Sequence, residues 1–406
     1  MSLKKNYNWL IIIFIIWPIL DLILNLLNVN LPVIRYVIYT VGTYYIIQLY
    51  FSSNNNIKSL SVFNRLVLSF AFIWLVIRFL LSIVEVFNPA NNYIALKSML
   101  SGEFLLYFSF FLVNITIALK YFKIILNISY ILIIIFLIIG VPLFGFFTAG
   151  IQNNAELLVK YIYSGGVFLL LLFPYQKVKV NIVVTLGLIV AMLMMLILAR
   201  RNVVLYLASS VFFLSLVVLF SKSQLIQKRR PLLVAGAIIV GIISLLFVII
   251  MQLNFDLFFE RADTGFDSRE SVIRDFTDDF NIRPIDWYVG RGPFGTYYSN
   301  IGSEASNDRT LIENGYYQYI LKMGLFFLIP FLFLSIVAII KGFFFSKNHL
   351  SKAAAILIIV NLIDMVGYGL PFLGLKYLNL LIAFGFCFSP VIRNMNDVDI
   401  KKIIRL

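Results

Sequence analysis

Runs of roughly twenty apolar residues recur along this whole chain, the length that carries a helix across a hydrocarbon core. Inside lipid, only helices and closed barrels satisfy their own backbone groups, so runs of this length exclude most other folds. Composition agrees. Of the 406 residues, 61% are hydrophobic and 13% charged, where soluble domains carry about a quarter charged. Twelve runs stand out, near 8–28, 33–51, 66–87, 100–119, 124–144, 161–176, 180–198, 203–221, 232–253, 314–340, 353–372 and 375–392. The expected fold is an all-α polytopic membrane protein of about 12 transmembrane helices. The first run, Trp9 to Leu27, follows Lys4 and Lys5 but has no small-residue cleavage site, and is expected to remain as an anchor.

Basic residues alternate between connections. Lys4/Lys5, Lys58/Arg65, Lys120/Lys123, Lys177/Lys179, Lys222 to Arg230, Lys341 to Lys352 and Arg393 to Arg405 fall in every second one. By the positive-inside rule both termini are then cytoplasmic and the long stretch 254–313 is extracytoplasmic. The same alternation explains the net charge of +14 without nucleic acid as a partner. The chain divides into helices 1–9 over 1–253, a loop over 254–313, and helices 10–12 with a cytoplasmic tail over 314–406. The single cysteine, Cys387, excludes an intrachain disulfide and a Cys-based metal site. The single histidine, His349, lies among Lys347 and Lys352, on the expected cytoplasmic side. No metal or cofactor is expected.

Some polar residues interrupt the apolar runs. Asp21, Asn25 and Asn28 share a face in the first, Arg78 and Glu85 in the third, and Asn361, Asp364 and Tyr368 in the eleventh. Charges at such depth are costly and face a bundle interior or an aqueous cavity. Arg78 either pairs with Asp21 or Asp364, holding helices together, or forms part of a site wall. Arg200 and Arg201 occupy a tight hairpin on the expected outer side, where the charge rule disfavours them. They either snorkel to lipid headgroups or bind an anion, since a guanidinium fork matches phosphate oxygens.

The loop is expected to fold as a helical cap. Ser268 can cap a helix to about Phe280, with Val272, Ile273, Phe276 and Phe280 on one stripe. Arg269 sits at the centre of that stripe, while Arg274, Asp275 and Asp278 point away. An inward Arg269 requires a buried anion, either a phosphate-bearing substrate or a protein carboxylate. Gly290, Gly292 and Gly295 around Pro293 suit a turn whose backbone approaches a ligand closely, and Arg291 lies within it. Trp287, Tyr288, Tyr297 and Tyr298 flank the turn and suit either sugar faces or the membrane interface. Glu313, with Asn314 beside it, opens the next helix, where its carboxylate either serves as a base or caps the helix.

Taken in order, ARRN, SRESVIRDF, VGRGPFGTYYS and IENGYYQYILKMGLFF resemble the bacterial O-antigen ligase/polymerase superfamily, most closely its Wzy-type polysaccharide polymerases. The motifs cover about 199–330; elsewhere the match is one of hydropathy and span number. The resemblance implies metal-independent glycan transfer on the outer face of the bacterial inner membrane. Its donor would be an oligosaccharide on undecaprenyl diphosphate, and its partners membrane lipids and the chain-length regulator and flippase of the same pathway. It assigns diphosphate binding to Arg200 or Arg201 and to Arg269, and more weakly to Arg291; the acid best placed for base work, by its position at the helix start, is Glu313. Arg78, Tyr297, Tyr298 and Asn314 are the further substrate-binding candidates, on the residues' own chemistry and position. Lipopolysaccharide-type ligases carry a histidine where this chain has Glu313-Asn314, a departure that favours polymerase over ligase. A flippase is the alternative from another class, although neither internal repeats nor interrupted helices are evident. The motifs of shape-and-division glycosyltransferases are absent from the sequence.

Overall fold

The computed structural model describes residues 41, 60–86, 119–140, 152–197, 201–220, 227, 268–292, 295–300, 308–370 and 375–406. Apart from positions 41 and 119, the runs near 8–28, 33–51, 100–119 and 232–253 lie outside the described residues, as do Asp21, Asn25 and Asn28. The described elements are α1 (Val62–Val86), α2 (Leu119–Ile135, continued by a π-turn over Phe136–Gly140), α3 (Gln152–Leu171), α4 (Val178–Ile197) and α5 (Arg201–Phe220). The loop contributes α6 (Ser268–Ile282), α7 (Ile285–Val289), β1 (Tyr297–Tyr298) and β2 (Asp308–Arg309). The chain continues through α8 (Gly315–Met323), α9 (Leu325–Phe344), α10 (His349–Tyr368), α11 (Leu375–Phe388), α12 (Pro390–Asn394) and α13 (Asp397–Ile404).

Among the described residues, four helical segments are long and apolar enough to cross a membrane: Leu119–Ile138, Val178–Met195, Leu325–Phe344 and His349–Gly367. Shorter apolar segments in α3, α5 and α11 pack among them. Large aliphatic side chains remain exposed at Ile182 and Leu186 on α4 and at Ile329, Ile336 and Ile340 on α9. Exposure of whole aliphatic stripes suits hydrocarbon and not water.

α10 is the central helix, packed against α5, α9 and α11. Ala353, Ala354 and Ala355 are fully buried along it, and such small residues let helices approach closely. At the α9–α10–α11 contact, a Cβ on Gly342 would lie 2.7 Å from Cys387 Sγ and 2.8 Å from Ala355 Cβ. His349 begins α10 at the end opposite Asp364, buried, with Nε2 2.7 Å from the Leu171 carbonyl oxygen. There α13 folds back on the bundle, with Tyr175 donating to Asp397 at 2.6 Å.

Several expected runs have different boundaries: the one near 124–144 starts at Leu119, so Lys120 and Lys123 lie inside its helix, and two others differ more. The helix placed near 161–176 starts at Gln152 and ends at Leu171, because Pro174 lies just beyond and cannot extend it. The run 314–340 is two helices, α8 and α9, broken at Gly324, whose φ of 72° and ψ of 179° are almost confined to glycine. The break is where the loop attaches: a Cβ on Gly324 would lie 2.1 Å from the Tyr288 carbonyl oxygen. Gly324→Ala therefore combines a strained backbone, worth about 1–3 kcal/mol, with a steric clash. It is expected to lower the melting temperature of the purified protein by several degrees, whereas Gly342→Ser perturbs only the bundle end near His349.

Candidate functional site

The helix expected from Ser268 runs over Ser268–Ile282, and its stripe is the core of a small aromatic unit. Phe276 is fully buried, with ring centres 4.2 Å from Phe280, 5.8 Å from Trp287, 5.5 Å from Tyr297 and 5.4 Å from Tyr317. Val272 and Ile273 are half-buried against it. Arg274 is exposed and paired with Glu270 one turn back, as its place off the stripe requires. Helical register puts position 269 in line with Phe276 and Phe280; its side chain lies outside the described residues. Asp275, expected to point away from the stripe, does so and accepts from Ser299 Oγ at 2.9 Å and Asn300 N at 2.8 Å, anchoring the segment after β1.

Arg291 holds this unit together. Its Nε donates to Asp286 at 2.7 Å, and Nη1 donates to the Asp279 carboxylate and, at 2.9 Å, to the Thr296 carbonyl. Nη2 donates to the Asp279 carbonyl at 3.1 Å, and the guanidinium lies 4.5 Å over the Phe280 ring. Four of its five N–H groups are thus used within the loop unit. The resemblance makes Arg291 a weak phosphate ligand; the structure gives its donors to two protein carboxylates and two backbone carbonyls.

The glycine turn approaches backbone and not open space. Gly290 and Gly292 have φ of 69° and 89°. The N–H of Arg291 donates to the Leu321 carbonyl at 2.7 Å, and that of Gly292 to Lys322 at 3.1 Å. The buried Lys322 ammonium returns a bond to the Gly295 carbonyl at 3.0 Å. From α1, Trp74 donates to the Met323 carbonyl at 2.8 Å and Arg78, one turn on, to the Gly290 carbonyl at 3.0 Å. Of the readings offered for Arg78, a pair with Asp364 is not formed, because Asp364 is held elsewhere, and Asp21 lies outside the described residues. The arginine ties α1 to the loop unit.

The exit from the loop unit rests on the Gly369 end of α10. Asn314 caps α8, accepting from Tyr316 N at 3.0 Å and Tyr317 N at 3.3 Å, while its amide donates to the Val366 carbonyl at 3.1 Å. Tyr316 donates to the Leu362 carbonyl at 2.7 Å. Capping thus falls to Asn314, and Glu313, one residue earlier, is exposed. Tyr297 is buried and donates to the Leu311 carbonyl at 3.2 Å, so its ring serves the loop core; Tyr298 is exposed. Burial raises the Tyr297 hydroxyl above its ordinary pKa, opposed by Arg309, which hydrogen-bonds it, and reinforced by Asp275 and Glu313.

At the same end of α10, Asp364 forms an ion pair with Lys376 on α11. The Asp364 side chain is 3% exposed and that of Lys376 11%. The ammonium sits 5.0 Å from the Tyr206 ring centre and 5.8 Å from that of Tyr163, and the two rings are in edge contact. The Asn361 side chain lies near the Tyr206 hydroxyl. Lys376 was missed from sequence, although a lone lysine inside LKYLNLL is itself a signal of buried charge.

Arg201 is the first residue of α5 and Arg200 lies outside the described residues. Register aligns position 201 with Leu205 and Phe212, both exposed, and opposite the buried Tyr206, Ser210 and Leu214. Among the described residues, no three His, Cys, Asp or Glu side chains group as metal ligands. No protein-family model matches this sequence, and neither a curated protein nor a solved structure matches it.

Proposed function

We propose that the chain is a polysaccharide polymerase of the bacterial inner membrane, moving a growing glycan from undecaprenyl diphosphate onto the next lipid-linked repeat unit. The observation that carries this reading is the edge at Glu313. An exposed carboxylate there adjoins the helix end that holds the Asp364–Lys376 pair, under a folded unit whose first helix carries Arg269 on its inward stripe. Proton transfer from an acceptor hydroxyl and stabilisation of a departing diphosphate both use charges held in place in this way.

In the reaction, the acceptor hydroxyl oxygen forms a bond to the anomeric carbon of the donor sugar. The bond from that carbon to the phosphate oxygen breaks, and undecaprenyl diphosphate leaves with the electron pair. Glu313 takes the proton of the acceptor hydroxyl. Arg269 neutralises the departing diphosphate from the loop side. Arg201, at the first position of α5, and Arg200 before it supply further guanidinium groups for the donor's diphosphate. Tyr298 offers an exposed ring to a sugar face, whereas Arg291, Tyr297 and Asn314 keep the loop in shape.

Proteoliposomes of the full chain, supplied with a synthetic undecaprenyl-diphosphate repeat unit, are expected to form a ladder of polymers. Glu313→Gln should slow its growth about 100-fold, within the usual range for a general base. Transfer onto a different acceptor without a ladder would establish the ligase instead. Movement of the lipid-linked unit between leaflets without any new glycosidic bond would establish the flippase.

A further inference from the structure

We propose that Lys376 is a binding site for phosphate oxygens, held by Asp364 until a diphosphate-headed lipid takes the carboxylate's place. This assignment rests on the polymerase reading for the identity of the natural ligand, but not for the chemistry of the site.

A buried ion pair is a poor device for stability, because desolvating both ions offsets most of their attraction and apolar replacements of similar volume often do better. Within a membrane-crossing bundle such a pair marks a functional position. The two halves of this one are unequally enclosed: the Lys376 side chain is 11% exposed against 3% for Asp364. A ligand that reaches the pair therefore has readier access to the cation than to the carboxylate. The Tyr206 and Tyr163 rings, 5.0 and 5.8 Å from the ammonium, keep it positioned and partly compensated when its carboxylate partner turns away.

The surroundings narrow the ligand further. Asn361 lies one turn before Asp364 on α10, and Asn379 one turn after Lys376 on α11, so both stand one turn deeper in the same seam. The Asn379 amide donates to the Ser164 carbonyl at 3.1 Å and that of Asn361 to Leu357 at 2.8 Å. The side-chain carbonyl oxygens of both are buried and accept no hydrogen bond from the described residues. The less enclosed cation, with open amide acceptors one turn away, suits a head that combines phosphate oxygens with hydroxyl donors or bound water. Anionic phospholipid, free pyrophosphate and a polyprenyl diphosphate share the phosphate chemistry; the position just inside the hydrocarbon-facing bundle favours the last.

The test uses the full chain in nanodiscs, titrated with geranylgeranyl diphosphate, inorganic pyrophosphate or phosphatidylglycerol, with affinity and melting temperature both recorded. Lys376→Met should weaken geranylgeranyl diphosphate binding at least tenfold, and Lys376→Arg should retain most of it. Asp364→Asn should move the other way, tightening binding several-fold because the competing carboxylate is gone. Melting curves without ligand show which variants are folded, and Lys376→Arg keeps the pair if the methionine variant is not. Equal affinity of Lys376→Met and the parent, or weakening by both Lys376→Met and Asp364→Asn, would overturn the assignment. So would tighter binding of phosphatidylglycerol than of the diphosphate. Failure of the polymerase reading is a separate result: no ladder, yet Lys376-dependent diphosphate binding. A normal ladder with Lys376-independent binding refutes this site alone.

Discussion

Arg291→Ala is expected to unfold the loop unit while leaving the helical bundle assembled. Removing the guanidinium strands Asp286, whose side chain is 5% exposed, and Asp279, at 18%, beside each other without a cation. Breaking a buried pair from one side costs about 3–5 kcal/mol, a large share of what a small unit has to lose. Thr296 and Asp279 also lose the donors that fix the turn to α6. Limited proteolysis should show cleavage between 268 and 312 at protease concentrations that leave the parent intact. Arg291→Lys should rescue little, since an ammonium cannot span four acceptors in the plane of the guanidinium fork. Protease resistance equal to that of the parent would show that the aromatic cluster alone shapes this unit.

The second large effect concerns rate. Arg269→Ala should cut polymer formation about 100- to 1000-fold, the usual cost of removing one preorganised charge from a developing anion. The melting temperature should stay near that of the parent, because the helix it belongs to is held by Phe276, Phe280 and the Asp275 contacts. Arg269→Lys should recover part of the loss. A collapse of stability in Arg269→Ala with unchanged rate per folded molecule would assign the arginine to a protein carboxylate, the structural reading left open by its place on the stripe.

Helical period and punctuation carried the sequence reading a long way. Ser268 marked the start of α6, and the 100° spacing of Val272, Ile273, Phe276 and Phe280 put the right residues inside and Arg274 outside. Hydropathy placed α1, α4 and α5 to within four residues at each end. It joined α8 to α9, because a glycine in an apolar run gives no hint of a positive φ, and here that glycine packs against the Tyr288 carbonyl and Gly290. Pairings distant in sequence were the least legible. Arg291 meets Asp279 and Asp286 nearby, yet its spacing resembled a ligand turn. Arg78 reaches Gly290 from α1, a contact spanning over 200 positions that no local pattern encodes. Lys376 was lost among apolar neighbours, and its partner Asp364 was matched with the wrong cation.

The bond pattern of the glycine turn also bears on protein engineering. Arg291 and Gly292 complete their hydrogen bonds on Leu321 and Lys322, and Phe276 packs on Tyr317, so part of this unit's interior belongs to α8. A synthetic peptide covering 254–313 would lack those acceptors and that ring, and should remain a coil in water. An antibody fragment raised against the folded surface would then serve as a gauge of correct assembly, binding only chains whose α8–α9 joint has closed.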